Sequence, residues 1–170
     1  MKIKGQNDNW QQLADAIRDE LRECAWLLSL LDRQQKAILS RDTSALAEIS
    51  DSILAQNGKI RQFRANREAL MSRACLDLKL SKDSTLPVIA AALQEVVRPL
   101  FDALIHEGTS IRRRIRRRTE MNRRIARRAS ICASEMLELI HPGSVIRTYD
   151  PKGAMHTSMG LKGSMVHTTV

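Results

Sequence analysis

Aromatic side chains are scarce in this chain, at 3% of its 170 residues, and turn-forming residues are few, with seven glycines and four prolines. The apolar residues are mainly Leu, Ile and Ala, which favour helices over sheets. With 43% apolar and 28% charged residues, the composition is typical of a globular protein and not of a disordered one. We therefore predict an all-α chain that is long enough to bury an ordinary core.

Cysteines are also few, and long apolar runs are missing. Cys24, Cys75 and Cys132 are odd in number and far apart, which argues against a disulfide framework and favours a reducing compartment. The first residues carry charges but no apolar run follows them, as a secretory signal would require. No stretch is apolar enough to span a membrane. We expect a cytoplasmic protein without membrane insertion.

Motifs for catalysis and metal binding are absent as well. The four histidines have no ligand spacing with one another or with the cysteines, and no HExxH or CxxC motif occurs. The sequence has no glycine-rich phosphate loop and no nucleophile elbow. Carboxylate pairs such as Asp15 and Asp19 lie on charged helix faces, where solvation explains them. We predict a protein that is not an enzyme and that binds no cofactor or metal.

Apolar residues recur at three- and four-residue steps in two long segments. The first segment runs from residue 7 or 8 to about Ser40 and carries one narrow apolar stripe. Residues 41–44 break the pattern and supply a cap, and the second segment restores it from Leu46 to Ala74. Such a short connection makes the two helices antiparallel. Asn57 and Arg67 stand at seam positions of the second helix, either as register-setting polar residues or as binding residues.

The prolines delimit two further helices. Pro87 lies in the first turn of a short helix, and Pro99 imposes a kink or break where that helix ends. The longest helix then runs to about His141, and we expect it to pack through a stripe that includes Ile115, Thr119, Asn122 and Ala126. Beyond it, residues 142–170 hold four of the glycines and two of the prolines, which predicts a flexible tail.

These segments together predict an antiparallel, coiled-coil-like bundle of three long helices. The bundle domain occupies residues 1–141, with a short extra helix near residues 86–98, and the flexible tail occupies residues 142–170. A narrow apolar stripe can close within one chain or between two copies, so the pattern leaves a homodimer open.

Ten arginines between residues 112 and 128 account for the whole charge imbalance of the chain. Outside this window the chain has 18 basic and 18 acidic residues, so the net charge of +9 resides in one stretch. At 100° per residue the arginines cover a broad face and leave one narrow face for packing. The predicted basic face comprises Arg112, Arg113, Arg116, Arg117, Arg123, Arg124 and Arg127.

Three interpretations of this basic face stay open at the level of sequence. It is a solvated surface whose heads pair with acids of the first two helices, a sequence-independent nucleic-acid surface, or a surface for an acidic protein partner. Nucleic acid is the weaker alternative, because stacking aromatics, zinc fingers and a short recognition helix are all missing. A membrane surface is weaker still, because no broad apolar face adjoins the arginines.

Several short segments of the sequence match the pattern of a known protein family. One is the helix end and turn at residues 37–49, with the sequence AILSRDTSALAEI, followed by NREAL at residues 66–70. The others are the arginine- and asparagine-containing segment MNRRI at residues 121–125 and the TYDPKG segment at residues 148–153. By these segments and by their order, the chain resembles the FlgN-type flagellar export chaperones.

The resemblance implies a cytosolic type III export chaperone. Such a protein would bind flagellar hook-associated subunits at the hook-filament junction, prevent their premature assembly and deliver them to components of the export gate. It also implies that cargo binds the C-terminal region. We take the apolar residues of the tail, Val145, Ile146, Tyr149 and Leu161, as candidate anchors for partner helices. The alternatives are a nonspecific nucleic-acid-binding helical protein and a structural adaptor with an acidic partner.

Overall fold

The computed structural model describes residues 3–140, 145–149 and 155–159, with side chains placed over residues 9–140. The elements in chain order are α1 (Ile3–Ser40), α2 (Thr43–Asp77), α3 (Leu86–Ala92), α4 (Arg98–Ile140), β1 (Val145–Tyr149) and β2 (Met155–Met159). Three long helices and one short one dominate the fold. The predicted all-α bundle is therefore confirmed.

Two compact units make up the chain, residues 1–122 and residues 123–170, and α4 contributes to both. In the second unit β1 and β2 pair antiparallel, with Val145 opposite Met159 and Tyr149 opposite Met155. The sequence did not predict these strands, because each is only five residues long and polar residues dominate the second. The flexibility of residues 142–170 stays a prediction.

A tight turn reverses the chain between α1 and α2. Arg41 has a φ of 57°, a left-handed conformation that ends α1, and the Asp42 backbone N–H then donates to the Ala37 carbonyl at 3.0 Å. The Asp42 side chain caps α2 by accepting from the Ala45 N–H at 2.9 Å. At the far end of the pair, Asn9 Nδ2 lies 2.6 Å from Asp77 Oδ2. The two helices are antiparallel, as predicted.

The predicted break before Pro99 is present. Helix α3 has Pro87 in its first turn and ends at Ala92, and α4 begins at Arg98 with Pro99 as its second residue. Within the first unit α4 lies alongside α1, since a Cβ added at Gly108 would lie 3.4 Å from Leu21 Cδ2. Further along, Asn122 reaches the backbone of Leu31. The two helices therefore run in the same direction.

The core is built around α1, whose buried face is wider than the predicted narrow stripe. At 100° per residue its buried residues span roughly 220° of the helix circumference. The reason is that α1 packs against α2, α3 and α4, so that Ala14, Leu27 and Leu30 are buried beside the expected stripe. Other helices contribute Ile60, Cys75, Ile89, Ala90, Phe101, Leu104 and Ile111 to the same cluster.

Polar contacts fix the register of α1 against α2. The buried Glu20 carboxylate meets Arg67, with Oε2 at 2.5 Å from Nε, and Arg64, with Oε1 at 3.4 Å from Nε. Gln56 is also buried and donates from Nε2 to the Glu23 carbonyl and carboxylate. The predicted seam position of Arg67 is thus confirmed, whereas Asn57 is exposed and Gln56 takes the place expected for it.

Candidate partner-binding surfaces

The packing face of α4 passes through the arginine run at alternating steps of four and three residues. Ile111 and Asn122 are buried, and Ile115, Arg118 and Ile125 are half-buried. The expected packing residues Thr119 and Ala126 are exposed instead, so that part of the predicted stripe is wrong. A period of 3.5 residues, and not 3.6, keeps one face of a long helix against its neighbour, and it selects Arg118 over Thr119.

Two polar side chains attach this part of α4 to α1. Arg118 Nε lies 2.7 Å from Asp32 Oδ1 in an ion pair without hydrogen-bond alignment, and its Nη1 donates to Gln35 Oε1. Asn122 Nδ2 donates to the Leu31 carbonyl at 2.8 Å and to Gln34 Oε1 at 2.9 Å. Asn122 Oδ1 is buried and has no hydrogen-bond partner within the described residues. These contacts determine which arginines face α1.

The side chains of the predicted basic face are all exposed. These are Arg112, Arg113, Arg116, Arg117, Arg123, Arg124 and Arg127. Arg124 aside, none of them makes an ion pair with a side chain that the structure describes. The expected pairing with acids of the first two helices is made by Arg118, which lies outside the predicted set. Arg118 and Arg124 aside, the run therefore presents guanidinium groups that no carboxylate of the described residues neutralises.

A groove between α1 and α4 lies at the foot of these arginines. Its lining consists of Leu28, Asp32, Arg114, Arg117, Arg118 and Met121, and we name it the arginine groove. The volume is about 240 Å³. The sequence placed Arg117 on the basic face but did not single out the other lining residues. The 3.5-residue repeat would have indicated Arg114 and Met121, because they flank the seam residue Arg118.

Beyond Asn122 the same spacing continues through Ala129, Cys132, Met136 and Leu139, but these residues are exposed. We name them the α4 apolar stripe. Met136 is 51% exposed and Leu139 is 82% exposed. The stripe that the sequence predicted for this part of α4 runs through Ala129, Ala133, Met136 and Ile140, and these residues are exposed instead of packed. An uncovered apolar helix face of this kind is typical of a site that another helix covers.

The candidate anchors of the tail fall partly within the described residues. Val145, Ile146 and Tyr149 lie in β1, where Val145 and Tyr149 pair with Met159 and Met155 of β2. Leu161 lies outside the described residues. Their assignment as partner-binding residues stays a prediction.

The described part of the chain has few features suited to metal binding, membrane insertion or nucleophilic chemistry. Among those residues no group of three or more His, Cys, Asp and Glu side chains could hold a metal ion. No helix there is long and apolar enough to cross a membrane. Burial raises the pKa of the Cys24 thiol, and the Glu20 carboxylate adds to the rise, so this cysteine is a weak nucleophile.

The described part of the chain thus combines a helical bundle, an exposed basic helix face and an apolar helix face that no described side chain covers. The comparison with protein families is specific: the FlgN protein family model matches residues 1–157, and the chain belongs to this family of flagellar export chaperones. No curated protein matches the chain, and no solved structure does. The family relation suggested by the turn and by the TYDPKG segment is confirmed.

Proposed function

We propose that the protein binds flagellar hook-filament junction subunits in the cytoplasm, prevents their premature assembly and delivers them to the export gate. The observation that carries this proposal is the α4 apolar stripe. Subunits that polymerise through amphipathic helices must have those helices covered before export, and an uncovered helix face with the same spacing can cover them. Binding would be stoichiometric, without catalytic turnover.

The residues proposed to hold cargo lie within one stretch of the sequence, residues 129–161. Ala129, Cys132, Met136 and Leu139 supply a helix-in-groove surface, and the tail anchors Val145, Ile146, Tyr149 and Leu161 extend it. Met and Leu suit a surface that accepts more than one partner, because their unbranched or γ-branched side chains adapt to different shapes. A second copy of the chain could cover the same stripe, which would form a homodimer in the absence of cargo.

Co-purification with candidate hook-associated subunits tests the proposal. The intact chain should retain at least one such subunit, and truncation before Pro142 should weaken the complex. The double variant Met136→Lys/Leu139→Lys should weaken it by about tenfold or more, because each lysine removes apolar burial from the interface. The matched control is Leu39→Lys/Leu76→Lys, since these leucines are 65% and 76% exposed and lie outside the stripe. If the intact chain retains no subunit, the chaperone assignment to this cargo fails.

The alternative function is sequence-independent nucleic-acid binding by the basic face. The observation in its favour is the exposure of the arginines, which, Arg124 aside, make no ion pair with a side chain that the structure describes. Replacing Arg112, Arg113, Arg116 and Arg117 with Gln would then abolish a nucleic-acid affinity that falls steeply with added salt. Under the proposed function, the same variant keeps its cargo.

A further inference from the structure

We propose that the arginine groove is a docking site for an acidic peptide segment of a protein partner, with one apolar side chain seated between flanking carboxylates. This inference goes beyond the proposed function, because it concerns a surface that shares no residue with the α4 apolar stripe. A chaperone with both surfaces could hold its cargo and a second protein on separate sites.

The charge around the groove is one-sided. Arg114 and Arg117 are exposed, lie three residues apart on one face of α4, and make no ion pair with a described residue. The one acid in the lining, Asp32, is already neutralised by Arg118. Guanidinium groups pair with carboxylates through two parallel hydrogen bonds, so two free arginines at this spacing can take two acidic side chains.

Arg118 has a different part in the groove. Its contacts with Asp32 and Gln35 hold the guanidinium in place on the wall of α1, so its position is determined before any partner arrives. A wall fixed in this way reduces the conformational freedom lost on binding. The groove is therefore formed in the free protein.

The floor of the groove gives it a preference for an apolar anchor. Leu28 is buried, and Met121 is 50% exposed, so the space between the arginines contains apolar surface that no described side chain covers. The volume of about 240 Å³ is smaller than a typical small-molecule pocket, which is about 300 Å³ or more, and it suits a single side chain of a peptide.

The same floor argues against a phosphate polymer as the occupant. Proteins that bind single-stranded nucleic acids stack the bases on aromatic side chains, and no aromatic side chain lines this groove. A sugar-phosphate backbone would gain nothing from Leu28 and Met121, whereas a leucine flanked by glutamates uses both the apolar floor and the charged rim. Charge and shape together therefore favour an acidic protein segment.

Fluorescence anisotropy with synthetic probes tests the proposal without any cargo. The probes are a labelled peptide with one leucine between glutamates, the same peptide with serine in place of leucine, and a short DNA duplex. We expect the leucine peptide to bind about tenfold more tightly than the serine peptide. The Arg114→Gln/Arg117→Gln variant should lose about tenfold in affinity for the leucine peptide, and Met121→Gln should lose a similar factor.

The charge-matched control is Arg61→Gln/Arg73→Gln, which removes two exposed arginines of α2 that make no ion pair with a described residue. Its affinity for the leucine peptide should stay within about twofold of the parent protein, since distant surface charges are screened. Circular dichroism checks that each variant keeps its helix content.

Three results would overturn the proposal. The first is no binding of the leucine peptide at low salt, and the second is equal affinity for the leucine and serine peptides. The third is tighter binding to the DNA duplex, reduced by the arginine variant but unchanged by Met121→Gln. That last pattern would identify the run as a phosphate-binding surface.

Discussion

Glu20 is a buried carboxylate at the contact between α1 and α2. It is 3% exposed, and its two oxygens meet Arg67 and Arg64. Glu20→Gln would remove the charge and leave Arg67, whose side chain is 17% exposed, with the exposed Glu68 carboxylate at 3.5 Å as its remaining ion-pair partner. We expect a loss of about 3 kcal/mol in the free energy of unfolding, measured by urea denaturation.

The exposed pair of Asp15 and Arg18 provides the control for Glu20. Its oxygen and nitrogen are 2.7 Å apart, but both side chains are about half exposed or more. The same chemical change, Asp15→Asn, should cost less than about 1 kcal/mol, because water screens the pair. Equal effects of the two substitutions would mean that burial does not strengthen the Glu20 contact.

Asn122 is a second residue whose side chain determines register. Its two amide hydrogens reach α1, while its buried oxygen has no partner within the described residues. A polar residue at a seam costs stability but disfavours other alignments. Asn122→Leu should therefore raise the free energy of unfolding by about 1 kcal/mol and weaken the preference for one alignment. Urea denaturation measures the free energy of unfolding, and light scattering measures the spread of mass that alternative alignments between chains would produce. A destabilised variant with a uniform mass would contradict the prediction.

At the scale of the element, the arginines of α4 repel one another, and a bound anion can relieve this repulsion. Its arginine run contains five like-charged pairs four residues apart and three pairs three residues apart. At a few tenths of a kcal/mol per pair, the repulsion amounts to about 2 kcal/mol at low salt. We expect sulfate to raise the melting temperature more than sodium chloride does at equal ionic strength, measured by circular dichroism.

The control for this effect is the triple variant Arg113→Gln/Arg116→Gln/Arg117→Gln. It removes much of the repulsion, so its melting temperature at low salt should be higher and its response to sulfate smaller. An unchanged response to sulfate would place the anion effect elsewhere on the protein.

Helix existence and order could be predicted from sequence, but the exact packing face could not. The turn at residues 41–44 and the break at Pro99 follow from local chemistry, so both are present as expected. Thr119 and Ala126 were placed wrongly because a straight helix at 3.6 residues per turn drifts away from a supercoiled seam within a few turns. The width of the buried face of α1 depends on how many helices pack against it. The apolar pattern of one helix does not contain that information.

The candidate sites, like the fold, could be predicted from the sequence only in part. A dense arginine run is visible in composition, and its exposure follows from charge alone. The arginine groove depends on which residues of α1 lie opposite, and Leu28 and Asp32 are separated from Met121 by about ninety positions of sequence. The α4 apolar stripe has the right spacing for burial, and only the fold shows that it is left uncovered.

At the scale of the whole molecule, the three cysteines differ in burial. Cys24 and Cys75 are buried, and Cys132 is exposed on the α4 apolar stripe. At neutral pH we expect a thiol reagent to modify Cys132 quickly and the two buried cysteines slowly. Because burial and Glu20 raise the pKa of Cys24 above its ordinary value of 9.0, its slow reaction should become faster only at higher pH.

The same raised pKa has a consequence for stability. As the pH rises above about 9, the unfolded chain releases the Cys24 proton while the folded protein still keeps it. The contribution of the neutral thiol to the free energy of unfolding is therefore present below about pH 9 and is lost as the pH rises further. Alkaline destabilisation should therefore be smaller in Cys24→Ala than in the parent protein, once each is compared with its own stability at neutral pH.

Cargo binding should alter only one of the three thiols. If hook-associated subunits cover the α4 apolar stripe, saturating cargo protects Cys132 from alkylation, while Cys24 and Cys75 react as slowly as before. Mass spectrometry of the alkylated protein measures all three sites in one experiment. A complex that forms with full affinity and leaves Cys132 as reactive as in the free chain would show that cargo does not bind on this face, because a covered thiol cannot be reached by the reagent.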